Sequence, residues 1–135
     1  MRRLIVRTDG AARGNPGPAG AGYVIETPEG EVLDEGSVFL GELTNNQAEY
    51  DALLHALAAA APDKETDLIV YADSELMVRQ LNGQYRVKHP ELKDRFQRAS
   101  QYLLRAGRSA VRHVPRAENA RADGLANRAL DDHLS

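Results

Sequence analysis

Two six-residue stretches decide the fold: LIVRTD at residues 4–9 and LIVYAD at residues 68–73. Each is a run of apolar, mostly β-branched residues that ends on an aspartate, a pattern typical of a strand buried on both faces. Strands this apolar belong at the centre of a sheet, where a parallel pair places equivalent positions about 5 Å apart. The repeat therefore predicts two neighbouring parallel strands that deliver Asp9 and Asp73 to one sheet edge.

The segments around these strands predict an α/β chain in the order βββαβαβα. Strands are expected over residues 4–8, 21–27, 31–39, 67–72 and 109–114. Helices are expected over residues 44–61, 75–82, 90–106 and 118–133, and a Gly/Pro-rich loop over 10–22. Three strands followed by alternation favour a mixed five-stranded sheet with helices on both faces.

Local signals set the expected ends of these elements. Thr44 and Gln47 have the spacing of a capping box before an Ala/Leu-rich helix. Pro90 suits the first position of a helix that Gly107 closes. The sequence Thr-Pro-Glu-Gly at residues 27–30 fits a type I turn between two antiparallel strands.

Length and composition indicate one domain spanning residues 1–135, with no repeat or low-complexity tract. The chain contains no cysteine, which excludes a disulfide framework, a thiolate metal site and a cysteine nucleophile. The first ten residues, MRRLIVRTDG, have too short an apolar run for a signal peptide or a membrane span. A cytoplasmic location without a membrane partner is the default expectation.

Charge is distributed unevenly although the net charge is only −3. Residues 76–116 carry ten Arg and Lys side chains against two acids, whereas the rest of the chain carries seven against eighteen. Such asymmetry suggests a polyanionic partner, with solvated arginines on amphipathic helices as the alternative explanation.

Four acids are candidates for one metal centre. Asp9 and Asp73 end their strands, and Glu49 and Asp123 lie early in helices that follow strands of the same sheet. Carboxylates brought this close repel one another unless hard cations lie between them, and cations of this kind take oxygen ligands. Taken singly, Asp9 could instead form a turn and Asp73 could cap a helix. Together they favour two divalent ions about 3.5–4 Å apart, an arrangement suited to phosphoryl transfer.

Four segments carry a resemblance to a known family. They are TDGAARGNPGPAGAGYV (8–24), TNNQAEYDALLHAL (44–57), VYADSELMVRQLNG (70–83) and HVPRAENARADGLAN (113–127). In content, order and spacing they resemble the signature blocks of type 1 ribonuclease H, over essentially the whole chain. The resemblance implies a ribonuclease H-like fold and cleavage of the RNA strand of an RNA–DNA hybrid, leaving 5′-phosphate and 3′-hydroxyl ends.

The same resemblance implies residue roles. Catalysis would rest on two Mg²⁺ ions, or Mn²⁺, held by the four acids, with Asp9 shared between the ions. Residues that match the family's minor-groove contacts, which distinguish RNA from DNA by its 2′-hydroxyls, are Asn15, Asn45 and Asn46. Thr44 matches a residue that helps to hold a DNA-strand phosphate. The Gly14–Gly17 turn would bring backbone close to the duplex.

Two departures from well-known members matter. Many members have a loop histidine before the last acid, and here Arg116 takes that place, while His113 is interpreted as a strand residue. The long basic, Trp-containing insertion is also missing, and residues 84–89 form a short loop instead. The chain thus resembles the compact subtype found in archaea and bacteria, in which hybrid binding would rely on Arg86, Lys88 and neighbouring arginines.

Rival functions remain at this point. A sugar kinase or actin-like ATPase would need two such domains, which 135 residues cannot supply. A ribonuclease H-like module that only binds nucleic acid would be expected to lack one of the acids. Cleavage of duplex RNA as well as hybrid is a third alternative. No obligate protein partner is indicated, and a monomer is expected.

Overall fold

The computed structural model describes residues 1–134. The strands are β1 (Arg2–Ala12), β2 (Gly17–Glu26), β3 (Val32–Leu43), β4 (Thr66–Ala72) and β5 (Arg108–His113). The helices are α1 (Asn45–Ala60), α2 (Glu75–Leu81), α3 (Pro90–Arg105) and α4 (Ala120–Leu134), and a 3₁₀ turn over Arg116–Asn119 precedes α4. None of the helices within residues 1–134 is long and apolar enough to cross a membrane.

The five strands form one mixed sheet in the order β3-β2-β1-β4-β5. The first three strands are antiparallel neighbours, whereas β1–β4 and β4–β5 are parallel pairs. The two LIV runs pair in register, with Leu4 opposite Leu68 and Val6 opposite Val70. The prediction from the repeat is confirmed, because the register of the two strands follows their matching sequences.

The predicted loop over residues 10–22 is wrong. Strand β1 continues through Ala12 and β2 begins at Gly17, so only residues 13–16 connect them, and Gly10 pairs with Ala21 inside the ladder. Glycine normally weakens a strand unless another backbone approaches closely. Here the small residues form strand because two helices pack directly on them.

Two glycines, Gly10 and Gly22, bring those helices close to the sheet. A Cβ at Gly10 would overlap the carbonyl oxygen of Ala48 in α1. A Cβ at Gly22 would overlap that of Ala122 in α4. Gly22 pairs with Asp9, the neighbour of Gly10 on β1, and successive strand residues face opposite sides of a sheet. Helices α1 and α4 therefore cover opposite faces, as predicted.

The main core lies between α1 and the sheet. Its largest fully buried side chains include Tyr50, Leu53 and Leu57 of α1, which pack with Val6, Val70 and other strand residues. Burying each such aliphatic side chain contributes about 1.5–3 kcal/mol before the entropy cost of ordering it. This packing fixes α1 against the two strands that end in aspartate.

Several predicted element ends are confirmed. Thr44 Oγ1 accepts from Gln47 N at 3.2 Å, and Thr44 N donates to Gln47 Oε1 at 2.9 Å, which completes the capping box. Gly30 N donates to Thr27 O at 2.9 Å across the predicted turn. The last helix starts later than predicted, since residues 116–119 form the 3₁₀ turn instead.

Candidate metal centre

Three of the four predicted acids converge at one edge of the sheet. Asp9, Glu49 and Asp73 each offer a carboxylate oxygen, and the three atoms all lie within 4.8 Å of one another. Asp9 lies on β1, Asp73 directly follows the parallel strand β4, and Glu49 projects from the second turn of α1. The alternatives for single residues are wrong, since Asp9 lies within a strand and Ser74, not Asp73, caps α2.

Asp123 approaches the same group from α4, in the first turn of that helix. It lies outside the three-residue set, but its carboxyl is among the causes that raise the pKa of Asp9. Asn127 Nδ2 donates to the Asp123 backbone oxygen at 3.0 Å and reaches its Oδ1 at 3.4 Å. The structure thus places the other three predicted acids around Asp9.

Burial and, after it, repulsion between like charges raise the pKa values of the acids at this edge. Burial, followed by the charge of Glu49 and contact with Asp123, raises the pKa of Asp9 far above its ordinary value. Burial is also the main cause that raises the pKa of Glu49 to about 8, opposed by a hydrogen bond from Gly10 N at 2.8 Å. Without a cation the group therefore holds protons that isolated carboxylates would release.

The donor set fits hard divalent cations. Asp9 is 4% exposed, and its Oδ2 is one of the buried polar atoms within residues 1–134 that lack a hydrogen-bond partner. A buried, unpartnered carboxylate oxygen is costly unless an ion or proton compensates it. Oxygen ligands contributed by several carboxylates are the kind that Mg²⁺ and Mn²⁺ prefer.

Arg116 is the basic group nearest to these acids. Its Nη2 lies 3.8 Å from Asp123 Oδ1, and its charge helps to lower the pKa of Glu49. The side chain is largely exposed, so this pairing is weak in energy and open to rearrangement. The structure thus places Arg116 at the metal centre, away from Arg86 and Lys88, the other two predicted basic residues.

Asn119 is a site residue for which the sequence analysis predicted no role. It is 1% exposed, and its Nδ2 donates to the Thr8 backbone oxygen at 2.8 Å. This bond ties the 3₁₀ turn before α4 to the strand residue preceding Asp9. A polar residue four positions before a candidate acid was the only sequence signal, and asparagine in such turns is too common for that signal to be specific.

The predicted minor-groove residues lie together where the β1–β2 connection meets α1. Asn15 Oδ1 accepts from Asn45 N at 3.0 Å, and Asn45 Oδ1 accepts from Ala12 N at 3.1 Å. These bonds use the amide oxygens, which leaves the amide nitrogens directed away from those partners. Thr44 caps α1 beside them, and Asn46 is exposed on the first turn.

Arg86 and Lys88 lie on the exposed segment between α2 and α3. Together with Asn46 they line a groove of about 500 Å³. Tyr85, which was not predicted from the sequence, lines the same groove and is 45% exposed. The guanidinium carbon of Arg79 lies 5.3 Å from the centroid of its ring. An aromatic residue in a basic loop was the available signal for Tyr85.

His113 is the last residue of β5 and pairs with Ala72 of β4. Its interpretation as a strand residue is confirmed. The side chain is exposed and lines a polar groove with Arg79 and Arg112, which lies beside α2.

Comparison with known proteins identifies relatives over nearly the whole chain. The profile of the reverse transcriptase-like family matches residues 7–129. The chain is 48% identical over 130 residues to a protein of Halobacterium salinarum named ribonuclease HI, covering 96% of this chain and 65% of that protein. It thus spans just under two thirds of that relative. It is also 34% identical over 147 residues to ribonuclease H of Cereibacter sphaeroides, covering 96% of each.

Solved structures agree with these relatives. The crystal structure of LC11-RNase H1 in complex with an RNA/DNA hybrid superposes with a TM-score of 0.92 at 47% identity, covering 98% of this chain and 99% of that one. RNase H1 of Halobacterium salinarum superposes with a TM-score of 0.91 at 46% identity, covering 96% of this chain and 98% of that one.

Proposed function

The chain belongs to the type 1 ribonuclease H family, and on that premise we propose that it is an endonuclease that hydrolyses the RNA strand of an RNA–DNA hybrid. The observation that carries this proposal is the convergence of Asp9, Glu49 and Asp73 within 4.8 Å, with Asp123 against Asp9. The relative whose structure contains an RNA/DNA hybrid supports the choice of substrate.

Four carboxylates would hold two Mg²⁺ ions, with Mn²⁺ as the alternative metal. Asp9 would be the shared ligand, because its carboxylate lies within 4.8 Å of those of Glu49 and Asp73 and the Asp123 carboxyl is close enough to raise its pKa. Bound ions of this kind supply the charge that activates water for in-line attack on a phosphodiester and stabilises the departing oxygen. Departure of the 3′ oxygen gives the 5′-phosphate and 3′-hydroxyl ends expected from the family resemblance.

The protein's own contribution is preorganisation of these ligands. Gly10 N holds one Glu49 oxygen, and Asn119 holds the strand beside Asp9. Asn127 holds Asp123 from the next turn of α4. Asp9, Glu49 and Asp123 sit on a strand and two helices, and Asp73 directly follows a strand, so little reorganisation is needed when substrate arrives.

Substrate recognition is proposed for two neighbouring surfaces. Asn15, Asn45 and Asn46 would contact the minor groove and detect the 2′-hydroxyls of RNA, with Thr44 beside them near a DNA-strand phosphate. Arg86 and Lys88 would contact phosphates in the groove that Asn46 shares with them. Arg116, next to Asp123, would contact the RNA strand near the cleaved bond. A monomeric state and a cytoplasmic location stay predictions.

Side-by-side cleavage assays test this proposal. Labelled RNA–DNA hybrid, duplex RNA and duplex DNA are incubated with the protein in Mg²⁺ and in EDTA, and the cut ends are mapped. We expect Mg²⁺-dependent cleavage of the hybrid's RNA strand with 5′-phosphate ends, and intact duplex DNA. An Asp73→Asn protein purified identically controls for host nucleases.

The other outcomes separate the remaining alternatives. Cleavage of duplex RNA as well would widen the substrate class without changing the chemistry. Tight binding of hybrid without cleavage in either Mg²⁺ or Mn²⁺ would identify a binding module and contradict the nuclease proposal.

A further inference from the structure

A buried hydrogen bond joins α1 to α2 beside the proposed substrate groove. The Tyr50 hydroxyl donates to Gln80 Oε1 at 2.5 Å, and the two residues are 1% and 4% exposed. Burial raises the pKa of the Tyr50 hydroxyl, so this group stays protonated and acts as a donor at neutral pH. In this arrangement the Gln80 amide oxygen accepts from Tyr50, and the amide nitrogen is the end that points away from it.

The nitrogen end of the same amide faces open space. Gln80 lines the groove of about 500 Å³ that contains Arg86 and Lys88, and a second groove of about 440 Å³ that contains Lys93. Within residues 1–134, the buried side-chain polar atoms without a partner are Thr8 Oγ1, Asp9 Oδ2 and Asn119 Oδ1. Gln80 Nε2 is not among these atoms, although it forms no hydrogen bond within residues 1–134. The nitrogen is therefore not fully buried and is accessible from the grooves.

A buried glutamine held this way is unusual for a purely structural residue. Gln80 is almost wholly enclosed, yet its only fixed bond uses the acceptor and leaves two N–H donors for whatever enters the grooves. The neighbouring side chains Arg86, Lys88 and Lys93 are cationic, so the grooves attract an anionic ligand that is rich in oxygen acceptors. The sugar-phosphate backbone of a nucleic acid has this chemistry.

We propose that Gln80 is a further substrate-binding residue, whose amide N–H donates to a backbone oxygen of the bound duplex, and that Tyr50 is a positioning residue that holds the amide in the donating orientation. This inference rests on the proposed function, because it takes an RNA–DNA hybrid as the ligand. It adds a rigid, orientation-specific contact to the flexible Arg86 and Lys88. It also gives α1, which contributes Glu49, a direct connection to the substrate groove.

Two substitutions test the pair with little change in shape. Gln80→Glu keeps the acceptor for Tyr50 but loses the amide donors, and Tyr50→Phe removes the hydroxyl that orients the amide. Binding of labelled hybrid is measured by fluorescence anisotropy in EDTA, so that cleavage does not interfere. We expect Gln80→Glu to raise Kd about tenfold and Tyr50→Phe about threefold, in the range of one lost hydrogen bond.

Gln84→Glu is the matched control. Gln84 lines the same groove and is exposed, so this substitution adds the same charge without touching a buried amide. We expect its Kd to rise at most threefold. The loss in Gln80→Glu should also grow as pH rises, because the buried acid mimics a donor while protonated and becomes a repelling carboxylate when ionised.

A double-mutant cycle separates orientation from general destabilisation. If Tyr50 acts through Gln80, Tyr50→Phe should add no further loss of binding in the Gln80→Glu background. Thermal melts of every variant report folding independently. The inference is overturned if Gln80→Glu binds hybrid as the wild type does, or no more weakly than Gln84→Glu. It is equally overturned if Tyr50→Phe lowers Tm with no change in Kd. A wild-type protein that fails to bind hybrid at all would instead overturn the proposed function.

Discussion

The acidic sheet edge and the basic segment between α2 and α3 are built in opposite ways. At the sheet edge, Asp9 is fixed by strand pairing and Glu49 by a hydrogen bond from Gly10. In the basic segment, Arg86 and Lys88 are exposed side chains that project from residues outside the helices and strands. The first region concentrates charge in a buried place, whereas the second spreads it over a surface.

The difference predicts how each region responds to change. A buried cluster of metal ligands acts as a unit, so we expect a single substitution to reduce activity almost as much as loss of the whole site. An exposed basic surface contributes through many weak contacts that salt screens, so single substitutions have small effects on binding.

Neutralising a central acid should have the largest effect. Asp9→Asn and Asp73→Asn each remove a cation ligand with little change in volume, and we expect at least a ~10³-fold loss of kcat, equivalent to about 4 kcal/mol. Steady-state cleavage of labelled hybrid measures this loss. Circular dichroism and thermal melts in EDTA should show an intact fold. Near wild-type rates in either variant would contradict the metal assignment.

Widening the contact between α4 and the sheet should have the next largest effect. Gly22→Ala places a Cβ against the Ala122 carbonyl oxygen and should lower the free energy of unfolding by about 3 kcal/mol. Cleavage should also slow, because α4 carries Asp123. Urea denaturation and the hybrid cleavage assay measure the two effects.

Gly124→Ala is the matched control for that substitution. Gly124 lies in α4, next to Asp123, and a Cβ there meets no atom within 4 Å. We expect it to stabilise the protein by about 0.5–1 kcal/mol, because alanine favours a helix over glycine. If Gly22→Ala and Gly124→Ala destabilised the protein equally, the close packing of α4 on Gly22 would not be the reason that a glycine is needed there.

Repulsion at the acidic edge predicts a pH dependence of stability without metal. The pKa of Glu49 is raised from 4.5 to about 8 in the folded protein. The stability that the protonated carboxyl contributes is therefore fully present below about pH 4.5 and is lost as pH rises through 8. In EDTA, Tm should therefore fall over this range. Added Mg²⁺ should restore more stability at pH 8.5 than at pH 6, since it binds the ionised form.

Asp9→Asn sharpens this prediction by removing a buried acid, and with it the free-energy cost of keeping that acid protonated when no metal is bound. In EDTA it should raise Tm at pH 8 by about 3–4 °C, the shift expected when about 1 kcal/mol of this cost is removed in a domain of this size. Differential scanning calorimetry at several pH values measures the shift. A variant less stable than the wild type at every pH would show that the acids do not repel one another in the folded state.

Substitutions in the basic segment should have the smallest effects. Arg86→Ala and Lys88→Ala should each raise KM for hybrid about two- to fivefold at low salt, with kcat unchanged. Each lost phosphate contact should reduce the slope of log Kd against log salt by roughly 0.9. Anisotropy titrations at several salt concentrations measure the slope. An unchanged slope for both variants would exclude these side chains from the phosphate-contacting surface.

The acidic edge was predictable because its positions follow from short sequence periods. The repeated LIV-x-x-Asp run fixes the pairing of β1 with β4 and the end of β4, although β1 continues past Asp9 to Ala12, and the capping box at Thr44 fixes the turn of α1 that contains Glu49. Register in a sheet and phase in a helix are local properties. The register of β1 and β4 and the phase of α1 together place Asp9, Asp73 and Glu49 at one edge of the sheet, although they belong to different elements.

The parts that sequence missed depend on contacts between distant elements. Residues 10–22 have the Gly/Pro-rich composition typical of a loop. Most of them nevertheless belong to β1 and β2, and the close approach of α1 and α4 explains why. Asn119 and the Tyr50–Gln80 pair are ordinary residues until the fold buries them against specific partners. Such roles arise from tertiary packing, and no spacing along the chain signals them.

The most direct test of the account is to locate the cations themselves. Crystals of Asp9→Asn and wild-type protein, each soaked in Mn²⁺ with bound hybrid, are compared by anomalous diffraction. The account predicts wild-type Mn²⁺ peaks bounded by Asp9, Glu49, Asp73 and Asp123, and loss of those peaks in Asp9→Asn. Peaks absent from this edge in wild-type crystals, or unchanged in Asp9→Asn, would contradict it.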